Sequence, residues 1–215
     1  MNKNILSKLK LIAEERQVKT DPSHDFSHIL RVLNNSVKIA KSVKADLDIV
    51  IPAALFHDTV VYRKDSKESK NETDESAEIA ATILESVEGY PKDKIKDVMT
   101  CIKQCSFSKG IVPELLESKV LQDADMLEST GAISIMRTFS SCGQMNRPFY
   151  NHQKPLNEKH EKEFPSGVGL FYRRLLVVDK RLHTKLAKEM AKKRTVFLKK
   201  FLNQLESELR ESKII

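Results

Sequence analysis

The sequence predicts an all-α chain, and three observations carry that expectation. Only 6 Gly and 7 Pro punctuate 215 residues, with no Trp, so tight turns and strands have little to build on. Apolar residues recur every three or four positions instead of alternating, stretch after stretch. The breaks between these stretches fall at Pro, Gly or dense runs of charge. With 40% hydrophobic and 31% charged residues the chain is globular, not disordered.

In chain order, Ile5, Leu9, Ile12 and Ala13 outline a first amphipathic helix, which Pro22 in "TDPSHD" stops. Ile29, Val32, Leu33, Val37 and Ala40 mark a second, running to about Lys44. Asp46 or Asp48 is placed to cap a third, "IVIPAALFHD", with Pro52 expected in its first turn, where a missing N–H is harmless. The polar "YRKDSKESKNETDES" reads as an exposed loop. Helices are expected over about 74–88 and 92–104, with Pro91 opening the latter. "SFSKGIVP" is a loop, and "LLESKVLQDADMLESTGAISIMRTFSS" forms one or two helices ended by Gly143. "GQMNRPFYNHQKPLNEKHEKEFPSG" mixes turn residues with charge and reads as a long irregular excursion. Two helices over about 166–178 and 181–211 close the chain.

Charge is unevenly spread. The net charge is +7, and residues 179–215 hold eleven Lys/Arg against five Asp/Glu. A solvated helix face is the ordinary reading of such a run, with phosphate or nucleic-acid contact as the alternative. No apolar run approaches the roughly 20 residues that span a bilayer. The N-terminal residues alternate charge with apolar positions, unlike a signal peptide. Cys101, Cys105 and Cys142 make an odd count without CxxC, which fits a reduced, cytoplasmic setting. Gly-rich phosphate loops, GxGxxG and GxSxG are all missing, which removes support for kinase, dinucleotide-binding and α/β-hydrolase readings.

Polar residues break the apolar pattern at three places. His24, His28 and Arg31 share one face of the second helix if that helix extends back to His24. His28 borders the stripe of Ile29, Val32 and Leu33, so it points toward the core. His57 and Asp58 end the apolar third helix. Asp123 and Asp125 sit among Leu121, Met126 and Leu127 in "VLQDADMLE". Isolated buried charges cost several kcal/mol each, whereas one divalent cation satisfies them all. Two imidazoles with carboxylates suit Mn first, with Fe, Co, Ni, Mg and Zn as alternatives. The lack of cysteine in these motifs argues against a structural zinc site.

"HDFSHILRV", "AALFHD" and "LQDADMLESTGAISIMRTF", in that order, resemble the HD-domain superfamily of metal-dependent phosphohydrolases, and most of all its small bacterial single-domain branch. The likeness runs from about Asp21 to Phe139 and touches the tail at "KKRTVFLKKFLNQLESE". It implies an all-α bundle with the metal between core helices, and a single HD domain over 1–215. In that domain a metal-binding core of about 21–140 carries C-terminal helices over about 165–212. It implies His28, His57, Asp58 and Asp125 as metal ligands, with Asp123 behind them orienting a ligand or water, or itself the ligand in place of Asp125.

Two departures from the pattern leave the general base open. Cys105 stands before "SFS" where many relatives carry histidine. Val61 stands where related nucleotidases often carry a Glu, three residues beyond the HD aspartate. Metal-activated water alone, His24, Asp123 or Glu128 are the options, with His24 favoured among the side chains and a plain role as cap of the second helix standing equally beside it. Arg63 and Lys64, just past the HD doublet, and Arg31 are the leading phosphate-binding residues. Lys103 is a further option, and Arg137 reaches the site only if the chain bends at Gly131.

The expected activity is hydrolysis of a phosphoester or phosphoanhydride in a small molecule, a nucleotide first. The rival is a catalytically silent nucleotide sensor, or an RNA-binding module using the basic tail. A metal-dependent oxygenase is weaker, since "FHDTVV" adds no further histidine. A homodimer through the terminal helices is compatible with the sequence, although no sustained heptad supports it.

Overall fold

The computed structural model describes residues 1–17, 22–62, 66–156 and 166–215. The chain is helical throughout these residues, with no strand among them. It forms two compact units, residues 1–125 and 126–215.

The first unit is built around a helix buried on every side. α1 (Lys3–Glu15) and α2 (Phe26–Val43) precede α3 (Leu47–Phe56), in which every residue from Ile49 to Phe56 is buried. An all-apolar helix of this kind has no solvent face to offer, so neighbours must cover it. α1, α2, α4 (Glu72–Ser86) and α5 (Ile95–Lys103) do so. α6 (Leu116–Met126) follows.

The caps explain where these helices begin. Asp25 caps α2 by accepting the His28 N–H at 2.8 Å, and Asp46, not Asp48, caps α3 by accepting the Asp48 N–H at 2.8 Å. α2 therefore starts at Phe26 and does not extend back to His24, which lies in a 3₁₀ turn, Pro22–His24. Asp25, and not His24, does the capping. Lys44 takes the left-handed conformation (φ 58°) that ends α2.

Pro52 departs from expectation. It is the sixth residue of α3, beyond the first turn, so its missing N–H leaves the Asp48 carbonyl without its helical donor. The Tyr90 hydroxyl donates to that carbonyl at 2.8 Å. α4 begins at Glu72, slightly before the expected start, and a 3₁₀ turn over Lys92–Lys94 precedes α5.

The second unit holds α7 (Gly131–Gln144), α8 (Gly167–Arg173) and α9 (Lys185–Glu211), with a 3₁₀ stretch over Leu175–Lys180 where a continuing α-helix was expected. Val168, Phe171, Leu175, Leu198 and Leu202 form its core. Phe171 stacks on Phe201 with centroids 5.5 Å apart, and Phe139 leans on both. The "LLESKVLQ…" run divides into two helices at Gly131, whose φ of 68° a side chain tolerates poorly. A methyl there would also lie 3.2 Å from Arg194 Cβ. Arg194 Nη1 donates to the Leu127 carbonyl at 3.1 Å, tying α9 to this break. No described helix is long and apolar enough to cross a membrane.

Candidate metal centre

Three helix ends of the first unit bring the expected ligands together. His28 comes from the first turn of α2, His57 and Asp58 directly follow α3, and Asp125 lies in the last turn of α6. His28 Nε2 is 3.3 Å from Asp58 Oδ2 and 3.7 Å from Asp125 Oδ1. His57 Nε2 is 3.5 Å from Asp58 Oδ2. Ligand atoms of His28, His57 and Asp125 all lie within 4.8 Å of one another. Two donors each about 2.1 Å from one ion lie about 3–4 Å apart, so the spacings of 3.3, 3.5 and 3.7 Å suit a shared cation, and the set within 4.8 Å needs only a small inward shift.

The chemistry of His57 tests the fit more sharply. Its Nδ1 stands 2.9 Å from the Ala54 carbonyl. A carbonyl only accepts, so Nδ1 carries the hydrogen and Nε2 is the ring nitrogen left to face the site. That Nε2 is buried, makes no hydrogen bond, and faces a carboxylate. A bare nitrogen against an anion in a buried site repels, so positive charge belongs there, either a proton on Nε2 or a cation in its place. Asp58 makes the same demand. Burial raises its carboxyl, but the charge of His57 and a hydrogen bond from His28 hold it well below the usual carboxylate range. A divalent cation meets both demands, so the donor set fits a metal.

The remaining expected residues are placed as follows. Asp125 keeps a 29% exposed side chain beside His28, whereas Asp123 is fully buried. Two residues along a helix rotate a side chain by about 200°, so the pair cannot face the same way. Asp125 is thus the carboxylate beside the imidazoles. The His24 ring meets His28 edge-on at 5.7 Å even though the two do not share a helix. Arg31 is half-buried on α2, three residues past His28. Arg63 and Lys64 lie outside the described residues. Lys103 is committed to Glu78 at 3.0 Å.

Two neighbours were not anticipated. Glu72, at the start of α4, accepts the Tyr62 N–H at 2.6 Å, and burial together with the Asp58 charge raises its carboxyl. The clue was present as Glu72, Asp74 and Glu75, an acidic first turn of a helix hidden in a run read as loop. Lys109 Nζ bonds the Lys70 carbonyl and Thr73 Oγ1, both at 2.5 Å, and its charge reaches Glu72 and Cys105. Cys105 is buried; desolvation, then the charges of Asp125 and Asp58, push its thiol well above the usual range.

Comparison with known proteins gives the family. The HD domain family model matches residues 25–130. The protein YpgQ of Bacillus subtilis is 30% identical over 200 residues, covering 90% of this chain and 89% of its own. The crystal structure of YpgQ in complex with ADP superposes with a TM-score of 0.71 at 26% identity, covering 95% of each chain. The Lin1889 protein of Listeria innocua gives 0.74 at 30% identity over 98% of each chain. An HD-superfamily hydrolase from Bacillus thuringiensis gives 0.71 at 26%, covering 96% of this chain and 97% of its own. The chain belongs to the HD-domain superfamily. Its neighbours make it a hydrolase in general class.

Proposed function

We propose that this protein is a metal-dependent phosphohydrolase that takes a nucleotide as substrate, with His28, His57, Asp58 and Asp125 holding one divalent ion, Mn first. The observation that carries the reading is the convergence of His28, His57, Asp58 and Asp125, with the buried His57 Nε2 making no hydrogen bond and facing Asp58 across 3.5 Å. YpgQ, similar over nearly its whole length, was crystallised with ADP, which supports a nucleotide here.

Bound there, a divalent ion lowers the pKa of water and draws charge from phosphoryl oxygens. The chain's own residues do the rest. Ala54 fixes the tautomer and aim of His57. Asp58, kept ionised, balances the imidazoles. His24, edge-on to His28, is assigned as the proton acceptor, with Glu72 as its rival. Arg31, Arg63 and Lys64 are assigned to the phosphate.

The test is elemental analysis of the purified protein, then phosphate and pyrophosphate release from nucleoside mono-, di- and triphosphates with each metal. Turnover abolished by Asp58→Ala is the expected result. Verified metal binding with no release from any nucleotide or generic phosphoester would sink the proposal.

A further inference from the structure

α9 divides into two halves with different electrostatics. In the C-terminal half the acids have partners: Arg210 pairs with Glu206 at 2.6 Å, Gln204 donates to Glu208 at 2.9 Å and Ser207 donates to Glu211 at 3.4 Å. Between 185 and 200 there are seven Lys/Arg and one acid, Glu189. Lys185, Lys192, Lys193, Lys199 and Lys200 are exposed there, and none pairs with a described carboxylate. Between the two Lys–Lys steps stand Val196 and Phe197, 56% and 49% exposed.

We propose that this face of α9 binds single-stranded nucleic acid, the lysines tracking phosphates and Phe197 stacking on a base. Charge complementarity calls for a polyanion. From Lys185 to Lys200 the helix rises about 22 Å, a span that fits several phosphates. An exposed aromatic ring between cations is the element that single strands use and a duplex does not. A lipid surface fits less well. An interfacial helix buries a continuous apolar face, and the continuous face of α9, from Ala187 and Ala191 to Leu198 and Leu202, is already buried. A second copy of the chain would set lysine against lysine. The inference stands independently of the hydrolase reading.

The experiment is fluorescence anisotropy of a labelled single-stranded oligonucleotide, about 20 nucleotides long, titrated with the full-length protein at several salt concentrations. Four neutralised phosphates give a log–log salt slope of about −3, so tripling the salt weakens binding about 20-fold. Lys192→Glu with Lys199→Glu should remove most of the affinity. Phe197→Ala should cost about 5- to 100-fold and leave the salt slope unchanged. Hydrogen exchange on the unaltered protein should show protection over 185–200 when oligonucleotide is added. No binding at 50 mM salt overturns the proposal. So does duplex bound as well as single strand with Phe197→Ala silent, protection elsewhere only, or capture by anionic phosphatidylserine vesicles but not by oligonucleotide.

Discussion

The two units solve the burial problem in opposite ways. Residues 126–215 bury a core of Val168, Phe171, Leu175, Leu198 and Leu202, with Phe171 stacked on Phe201 and no cluster of potential metal ligands among the described residues. Residues 1–125 bury an aliphatic core around α3 and also bury His28, His57 and Asp123. Burying polar groups without full compensation works against stability. Both units bury polar groups, Glu128 among them in residues 126–215, but among the described residues the first unit alone gathers its own into one constellation of potential ligands, at some cost in packing energy. Removing a side chain should have different consequences in each.

Phe171→Ala should produce the largest loss of stability, about 3–5 kcal/mol, because it empties a fully buried site at the centre of its cluster. Urea unfolding would measure it. At temperatures where the variant stays folded, metal content should be unchanged. A variant that lost metal as readily as stability would break the contrast between the units.

His57→Ala should do the reverse. Loss of groups that merely orient a ligand typically weakens metal sites 10- to 100-fold, so loss of a ligand should cut metal retention and turnover by at least about 100-fold. The metal-free protein should lose less stability than with Phe171→Ala, about 1–2 kcal/mol, from the emptied ring site and the lost Nδ1–H bond to the Ala54 carbonyl. Elemental analysis and urea melts of the metal-free form check both parts. A metal-free variant as destabilised as Phe171→Ala would mean that His57 is a packing residue.

Gly167→Ala probes packing of the second unit at finer scale. An added methyl would lie 2.8 Å from Phe139 Cε1, 3.0 Å from the Phe149 carbonyl and 3.1 Å from Cys142 Sγ. A carbonyl cannot swing aside as a side-chain tip can, so about 1–3 kcal/mol should be lost. Thermal melts would show it, and an unchanged midpoint would mean that the α7–α8 connection gives way freely.

The same contrast explains what was legible in the sequence. Helix periodicity marked both units, because each helix needs one apolar face whatever it serves. The candidate ligands were legible where they broke that pattern: His57–Asp58 at the end of an otherwise apolar helix, and Asp125 inside an apolar run. Glu72 and Lys109 were not. Glu72 was marked only by the acidic turn that opens α4, and Lys109 stands between Phe107 and Ile111 in a run without helical or strand period, so nothing local ties either to the site. The pairing of His24 with His28 was read through a shared helix that does not exist. A 3₁₀ turn brings the rings together instead.

The smallest effect concerns a repair inside the first unit. Pro52 deprives the Asp48 carbonyl of its helical donor, and Tyr90 supplies a hydroxyl at 2.8 Å. Burial, then the Asp48 and Asp46 carboxylates, raises the Tyr90 phenol, so it stays protonated and able to donate. Tyr90→Phe keeps the ring and removes only the donor, which should cost about 1 kcal/mol. Pro52→Ala would restore an N–H aimed at the same carbonyl. In that background Tyr90→Phe should become nearly neutral, a coupling of about 0.5–1 kcal/mol in a double-mutant cycle. Additive effects would show that the hydroxyl serves the fold in some way other than by replacing the proline's missing hydrogen bond.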